Sequence, residues 1–161
     1  MQRRFLLLAP AALLLAACAS MGPAPAPVSV TDTIARDPQL STLSGLVQRA
    51  GLADTLKAGG PYTVFAPTNA AFAAVPAKTM EDLAKDPARL KDVLSYHVLP
   101  VRVTAAEVKA GNAKTAQGAN VVLSRAGDFV TVEEAMVERA DITASNGVVH
   151  KVDRVLMPPR R

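Results

Sequence analysis

The chain has 161 residues, half of them hydrophobic, and carries 18 basic against 14 acidic side chains. That length builds one domain with a real core and leaves no room for two. A single cysteine excludes an intramolecular disulfide. Without Arg3 and Arg4 the net charge of +4 falls to +2, a weakly charged surface and no footprint for nucleic acid.

Arg3 and Arg4 precede an apolar run over residues 5–17. A basic start, a short greasy stretch and small residues before a cut site make a secretory signal. The run is shorter than the roughly 20 residues that span a bilayer. It ends in Leu15-Ala16-Ala17-Cys18, which resembles a bacterial lipobox. On that likeness residues 1–17 are removed and Cys18 becomes a lipid-bearing N-terminus. Each buried methylene adds about 0.8 kcal/mol, so several acyl chains hold firmly where one does not. Ala19, where an Asp often marks inner-membrane retention, points to the outer membrane of a Gram-negative envelope. Residues 18–29 then alternate Ala with Pro23, Pro25 and Pro27. Such a segment favours extended polyproline II at about 3.1 Å per residue and serves as a tether.

The folded domain is expected over residues 30–159. Thr31 or Asp32 is read as the cap of a first short helix, ended by Asp37-Pro38. Leu43, Leu46, Val47 and Ala50 fall at the helical period, and Gly51 supplies a left-handed end. A short turn of helix follows over residues 52–57. Tyr62-Thr63-Val64-Phe65-Ala66 is rich in aromatic and β-branched residues and reads as a strand. Pro67 stops its ladder, and Thr68 or Asn69 caps a helix that returns Phe72 to the core. Thr79 is read as the start of another capped segment. Asp86-Pro87 opens a helix carrying Leu90, Val93 and Leu94. Tyr96-His97-Val98-Leu99 has strand character. Thr104-Ala105-Ala106-Glu107 is read as a capping box whose helix ends at Gly111-Asn112.

Beyond residue 113 the period becomes two. Thr115 starts a first strand, Val121-Val122-Leu123 lies in a second, Phe129-Val130-Thr131-Val132 forms a third and Ala135 leads into a fourth. Asn146-Gly147 is read as a tight-turn pair before Val148-Val149-His150. Val152, Val155 and Leu156 cannot all face one side without a bulge or bend near Asp153-Arg154. Helices first and strands second make an α+β domain. Pro158-Pro159 closes it, and Arg160-Arg161 is a basic tail.

Three of these stretches together resemble the fasciclin-like domain family. Thr63-Val64-Phe65-Ala66-Pro67-Thr68-Asn69-Ala70-Ala71-Phe72 resembles its first signature motif. Ala140-Asp141-Ile142-Thr143-Ala144-Ser145-Asn146-Gly147-Val148-Val149-His150 resembles its second, and Tyr96-His97 matches the tyrosine–histidine pair between them. The resemblance implies a β-wedge of two small packed sheets with the helices of the N-terminal half packed on it. It identifies Phe65, Pro67, Thr68, Asn69, Phe72, Asn146, Gly147 and His150 as the structural motif. It also implies Tyr96, His97, Asp141 and Ile142 as candidates for partner binding. Two departures stand out. Glu133-Glu134 replaces a frequent Asn-Gly, and Glu is poor at positive φ, so a longer or looser hairpin is expected. Lys151 replaces an apolar residue, so an exposed edge is expected there.

The candidate chemistry is thin. Ser95 and Ser145 lie near the two histidines in sequence, but no nucleophile turn of the G-x-S-x-G kind is present. His97 and His150, each among apolar neighbours, are read as buried hydrogen-bonded residues and not as a shared metal site, which needs three or four converging ligands. No metal, cofactor or catalytic residue is assigned. The expected function is a lipid-anchored envelope adhesion or interaction module, held to a membrane through Cys18 and binding an unidentified protein or polysaccharide. The alternative is a periplasmic carrier or sensor of a small molecule, using a cleft near Tyr96 and His97.

Overall fold

The computed structural model describes residues 28–159. Six α-helices and seven strands follow in order: α1 Val30–Arg36, α2 Ser41–Arg49, α3 Ala53–Ala58, β1 Tyr62–Pro67, α4 Asn69–Ala73, α5 Ala77–Lys85, α6 Pro87–Tyr96, β2 Val98–Leu99, β3 Gly111–Lys114, β4 Asn120–Ala126, β5 Phe129–Val132, β6 Ala135–Ala144 and β7 Gly147–Val152. A short 3-10 turn, Pro38–Leu40, joins α1 to α2.

The strands form one hydrogen-bonded series in the order β2-β1-β7-β6-β5-β4-β3. β1 and β7 run parallel in register from Tyr62 opposite Gly147 to Pro67 opposite Val152, and the other pairs are antiparallel. β6 belongs to both ladders. Its start pairs with β5 and the rest with β7, with register shifts between Val137 and Ile142. Such irregularities bend and twist a strand, and here they fold the series into the expected wedge.

Two cores result. One fills the space between the helices and one face of the β1–β7 ladder, with Leu40, Leu43, Phe72, Leu90, Val93, Val64, Ala66 and Val149. The other lies inside the wedge and joins Phe65, Leu99 and Val152 to Val121, Leu123, Val130 and Val132. β1 and β7 are therefore covered on both faces and buried almost along their whole length, polar His150 and Lys151 included. β4 alternates, because its outer face is exposed.

Several local expectations need correction. Ser29, not Thr31 or Asp32, caps α1, its hydroxyl accepting from the Asp32 amide at 3.2 Å. Val28, assigned with Ser29 to the tether, is also tied to the fold: its carbonyl accepts from the Ser145 amide at 2.8 Å. Thr79 lies inside α5, whose N-terminus follows Pro76 and has no side-chain cap. α6 runs on through Tyr96, so the strand after it is Val98–Leu99 alone. The Thr104–Glu107 bonds do form, at 2.8 and 2.9 Å, but around a turn that does not continue as a helix. Residues 111–114 are strand β3, so Thr115 follows a strand instead of starting one. The tight-turn pair before β7 is Ser145-Asn146, and Gly147 already belongs to the strand.

Lys151 is the largest reversal. It sits on a central strand and is 5% exposed. Its side chain faces the helices, where its ammonium pairs with Asp37 at 2.5 Å and donates to Gln39 Oε1 at 2.9 Å. A buried charge persists when it is paired and hydrogen-bonded in this way. The bend expected near Asp153-Arg154 is present. It is fixed to β6 by bonds between Asp153 and Met136 at 2.7 and 3.1 Å.

Candidate functional site

The two signature stretches meet as neighbouring parallel strands, and their polar residues serve as joints between elements. At the corner after β1, Thr68 caps α4, its hydroxyl accepting from the Ala71 amide at 3.3 Å. Asn69 does a different task. Its Oδ1 accepts from the Thr42 amide at 3.0 Å and its Nδ2 donates to the Pro38 carbonyl at 2.9 Å, closing the N-terminus of α2. At the opposite end, Asn146 gathers three elements. Its Oδ1 accepts from the Val30 amide at 2.8 Å, and its Nδ2 donates to the carbonyls of Leu56 at 2.6 Å and Gly59 at 2.9 Å. Its own carbonyl accepts from Tyr62 at 3.0 Å. Gly147 is required beside it because a methyl group there would collide with the Tyr62 carbonyl.

Both histidines are saturated. His97 is 2% exposed. Its Nδ1–H donates to the Val93 carbonyl at 2.8 Å and its Nε2 accepts from the Leu156 amide at 2.9 Å. Burial pushes its pKa down to about 4. His150 donates from Nε2 to the Val103 carbonyl at 2.9 Å, accepts at Nδ1 from the Asp141 amide at 3.1 Å and stacks on Phe65 at 5.7 Å. Burial lowers its pKa too. Each ring is thus held neutral in one tautomer, with no nitrogen left for a nucleophile or a metal. Among the described residues no buried side-chain polar atom lacks a partner, and no cluster of ligating side chains is assembled.

The residues singled out for partner binding divide by exposure. Tyr96 is 3% exposed and lies inside the wedge, its one hydroxyl proton shared between the Asn120 carbonyl at 3.1 Å and Glu133 Oε1 at 3.3 Å. Burial and the Glu133 carboxylate raise its pKa. Asp141 is exposed, at φ 58°, and accepts from the Ala105 amide at 2.8 Å; Ile142 is half-buried against the helical core. Tyr96 and His97 therefore present no surface to a partner, and Asp141 does.

Glu133 explains why the β5–β6 hairpin is tight and not loose. Val132 pairs with Ala135, leaving two turn residues. Glu133 adopts φ 54°, and its Oε1 accepts from the Val122 amide at 2.9 Å as well as from Tyr96. Those bonds offset the cost of a left-handed glutamate.

A cleft of about 860 Å³ lies beyond the ends of β1 and β7, among α4, α6 and the segment after β7. Val93, Val155 and Met157 line it, but neither Tyr96 nor His97 does. The carrier alternative calls for a cleft near that pair; this one reaches α6 one helical turn earlier, at Arg89, Asp92 and Val93. His97 acts on it indirectly, since its bond to Leu156 holds the segment that forms one wall. No residue pattern announced this cleft, because its walls are distant in sequence.

The family model for the fasciclin domain matches residues 38–158. The chain belongs to the fasciclin domain family. This fasciclin domain is 41% identical over 134 residues to protein sll1483 of Synechocystis, covering 82% of this chain and 74% of that protein. It is 37% identical over 135 residues to the cell surface glycolipoprotein MPB83 of Mycobacterium bovis, covering 81% of this chain and 60% of that one. Among solved structures it resembles the FAS1 domain pair of the insect cell adhesion molecule fasciclin I. The TM-score is 0.64 at 17% identity, covering 81% of this chain and 51% of the other. That likeness establishes the fold alone. Among the described residues of the fasciclin domain no helix is long and apolar enough to cross a membrane.

Proposed function

We propose that the protein is a non-catalytic interaction module of a bacterial cell envelope, moored by lipid on Cys18 and binding a protein or a surface polymer. The observation that carries this reading is the internal use of the motif residues. Asn69, Asn146, His97 and His150 spend their hydrogen-bonding capacity on the backbone of their own domain. A nucleophile needs a base within reach and a third group to orient it, and neither histidine has a nitrogen to offer. Recognition then falls to the exterior. A relative named as a cell surface glycolipoprotein supports the location, and a neighbour from an insect cell adhesion molecule supports the class.

The chain enters the domain at Val28, beside the Ser145-Asn146 turn. β1 and β7 both start beside that turn and run about 20 Å from it at 3.3 Å per residue. On this reading the tether joins the domain at that end of the parallel pair.

Cys18→Ala tests the anchor. It should move the protein from the membrane to the soluble fraction of the cell, and unchanged membrane retention would overturn the lipid assignment. Crosslinking on intact cells should trap the anchored protein on a protein or polymer partner. A turnover reaction abolished by His97→Ala or His150→Ala in a protein that stays folded would overturn the non-catalytic reading.

A further inference from the structure

We propose that the cleft beyond the ends of β1 and β7 binds a small amphiphile with an anionic head group. The volume of about 860 Å³ falls in the range of about 300–1,000 Å³ usual for small-molecule sites. Its place has a topological reason. β1 and β7 are the parallel pair of the sheet, and parallel strands leave a crevice outside their carboxyl ends where the chain departs in different directions. Here the chain leaves Pro67 into α4 and leaves Val152 into the bend at Asp153-Arg154.

The lining specifies the ligand. Ala71, Val75, Val93, Val155 and Met157 make an apolar floor and wall, suited to a short hydrocarbon chain. Two guanidinium groups approach from different elements, Arg89 on α6 and Arg154 after β7, against one carboxylate, Asp92. Among the described residues no acidic group lies within ion-pair distance of Arg89. Arg154 meets Glu134 at 3.8 Å with both side chains largely exposed, a weak pairing that leaves it able to turn to a ligand. Guanidinium groups grip planar carboxylates with paired N–H donors. The α5 N-terminus, uncapped by any side chain, opens on the same cleft through Pro76 and Thr79 and adds positive potential. The apolar wall brought by Val155 and Met157 is held in place by His97 through Leu156.

The test is a titration of the ¹⁵N-labelled intact protein, as the cell processes it, with hexanoate, hexan-1-ol and hexylamine. Hexanoate should shift the amides of Val75, Thr79, Val93 and Val155 saturably, and at lower concentration than either of the others. Arg89→Gln and Arg154→Gln should each weaken hexanoate binding about tenfold, the loss of one charge-assisted contact. Both side chains are exposed, so the fold survives their replacement. Equal affinity for hexanoate and hexylamine would overturn the proposal. So would hexan-1-ol binding as tightly as hexanoate, unchanged affinity in both variants, or shifts confined to the outer sheet face around Phe129. None of these outcomes bears on where Cys18 places the protein, so this proposal and the anchoring reading fail separately.

Discussion

Phe65 and Phe129 stand on strands of the same continuous sheet, yet one is 1% exposed and the other 65%. Phe65 belongs to the ladder of β1 and β7, which is covered by helices on one face and by the wedge on the other. Phe129 belongs to the distal ladder of β3, β4 and β5, which is covered on its inner face alone. Val122, Phe129 and Met136 lie outside it, each 46% exposed or more. In the first region every polar group must be partnered, because water cannot reach it, and motif residues such as Asn146 and His150 meet that demand. In the second, the ladder satisfies the backbone, and the outer-face side chains stand in solvent, so their choice is loose. The lesson is that a signature stretch in this domain marks where three or more elements must be joined. The exposed side chains lie mostly elsewhere, on the outer sheet face and around the cleft, with Asp141 an exception within a signature stretch.

The contrast can be broken first at its most buried member. Phe65→Ala should cost about 3–5 kcal/mol in urea melts, since it removes a ring packed in the wedge and against His150. A loss below about 1 kcal/mol, the scale of ordinary surface changes, would show that the inner ladder is not the tighter region.

Acid should dissolve the same region next. An unfolded histidine titrates near 6.5, and His97 in the fold titrates near 4. Between these values the unfolded chain binds the extra proton, so stability falls as pH is lowered through that window, by about 3 kcal/mol for His97. His150 shifts in the same direction and adds to the loss. Denaturant midpoints measured from pH 7 to pH 4 check this, and His97→Gln should flatten the slope. An equally steep slope in that variant would place the titrating group elsewhere.

Lys151→Met tests the helix-facing side. It strands the Asp37 carboxylate, which the Lys151 bond helps to hold below the ordinary range despite opposing desolvation. Asp37 keeps part of its side chain in water, which softens the penalty to about 2 kcal/mol. The carboxyl pKa of Asp37, followed by NMR, should rise in the variant. Its staying unchanged would show that the ion pair is unimportant in solution.

The smallest effect is expected on the outer ladder. Phe129→Ser should change stability by about 0.5 kcal/mol or less, as surface substitutions do. A loss approaching that of Phe65→Ala would erase the distinction between the two ladders.

Much of this molecule was legible along the chain. Periodicity located Leu43, Leu46 and Val47 on one helix face, Asp86-Pro87 marked a helix start, and Gly51 at φ 67° ends α2. Those features are set by neighbours within about five residues, which a sequence displays directly. The three motifs in order indicated the family and hence the wedge. The errors share one cause. Lys151 read as an edge because its partner, Asp37, lies 114 positions away. Glu133 read as a loose turn because Tyr96 and Val122 hold it from other elements. Thr104–Glu107 made its capping bonds without a helix because the chain beyond was recruited to strand β3. Sequence by itself determined the local periods, the caps and breaks, and the greasy start ending at Cys18. Tertiary structure alone decided which charges are buried, which motif residues have a free face and where a cleft opens, because burial depends on which distant segments close over a side chain.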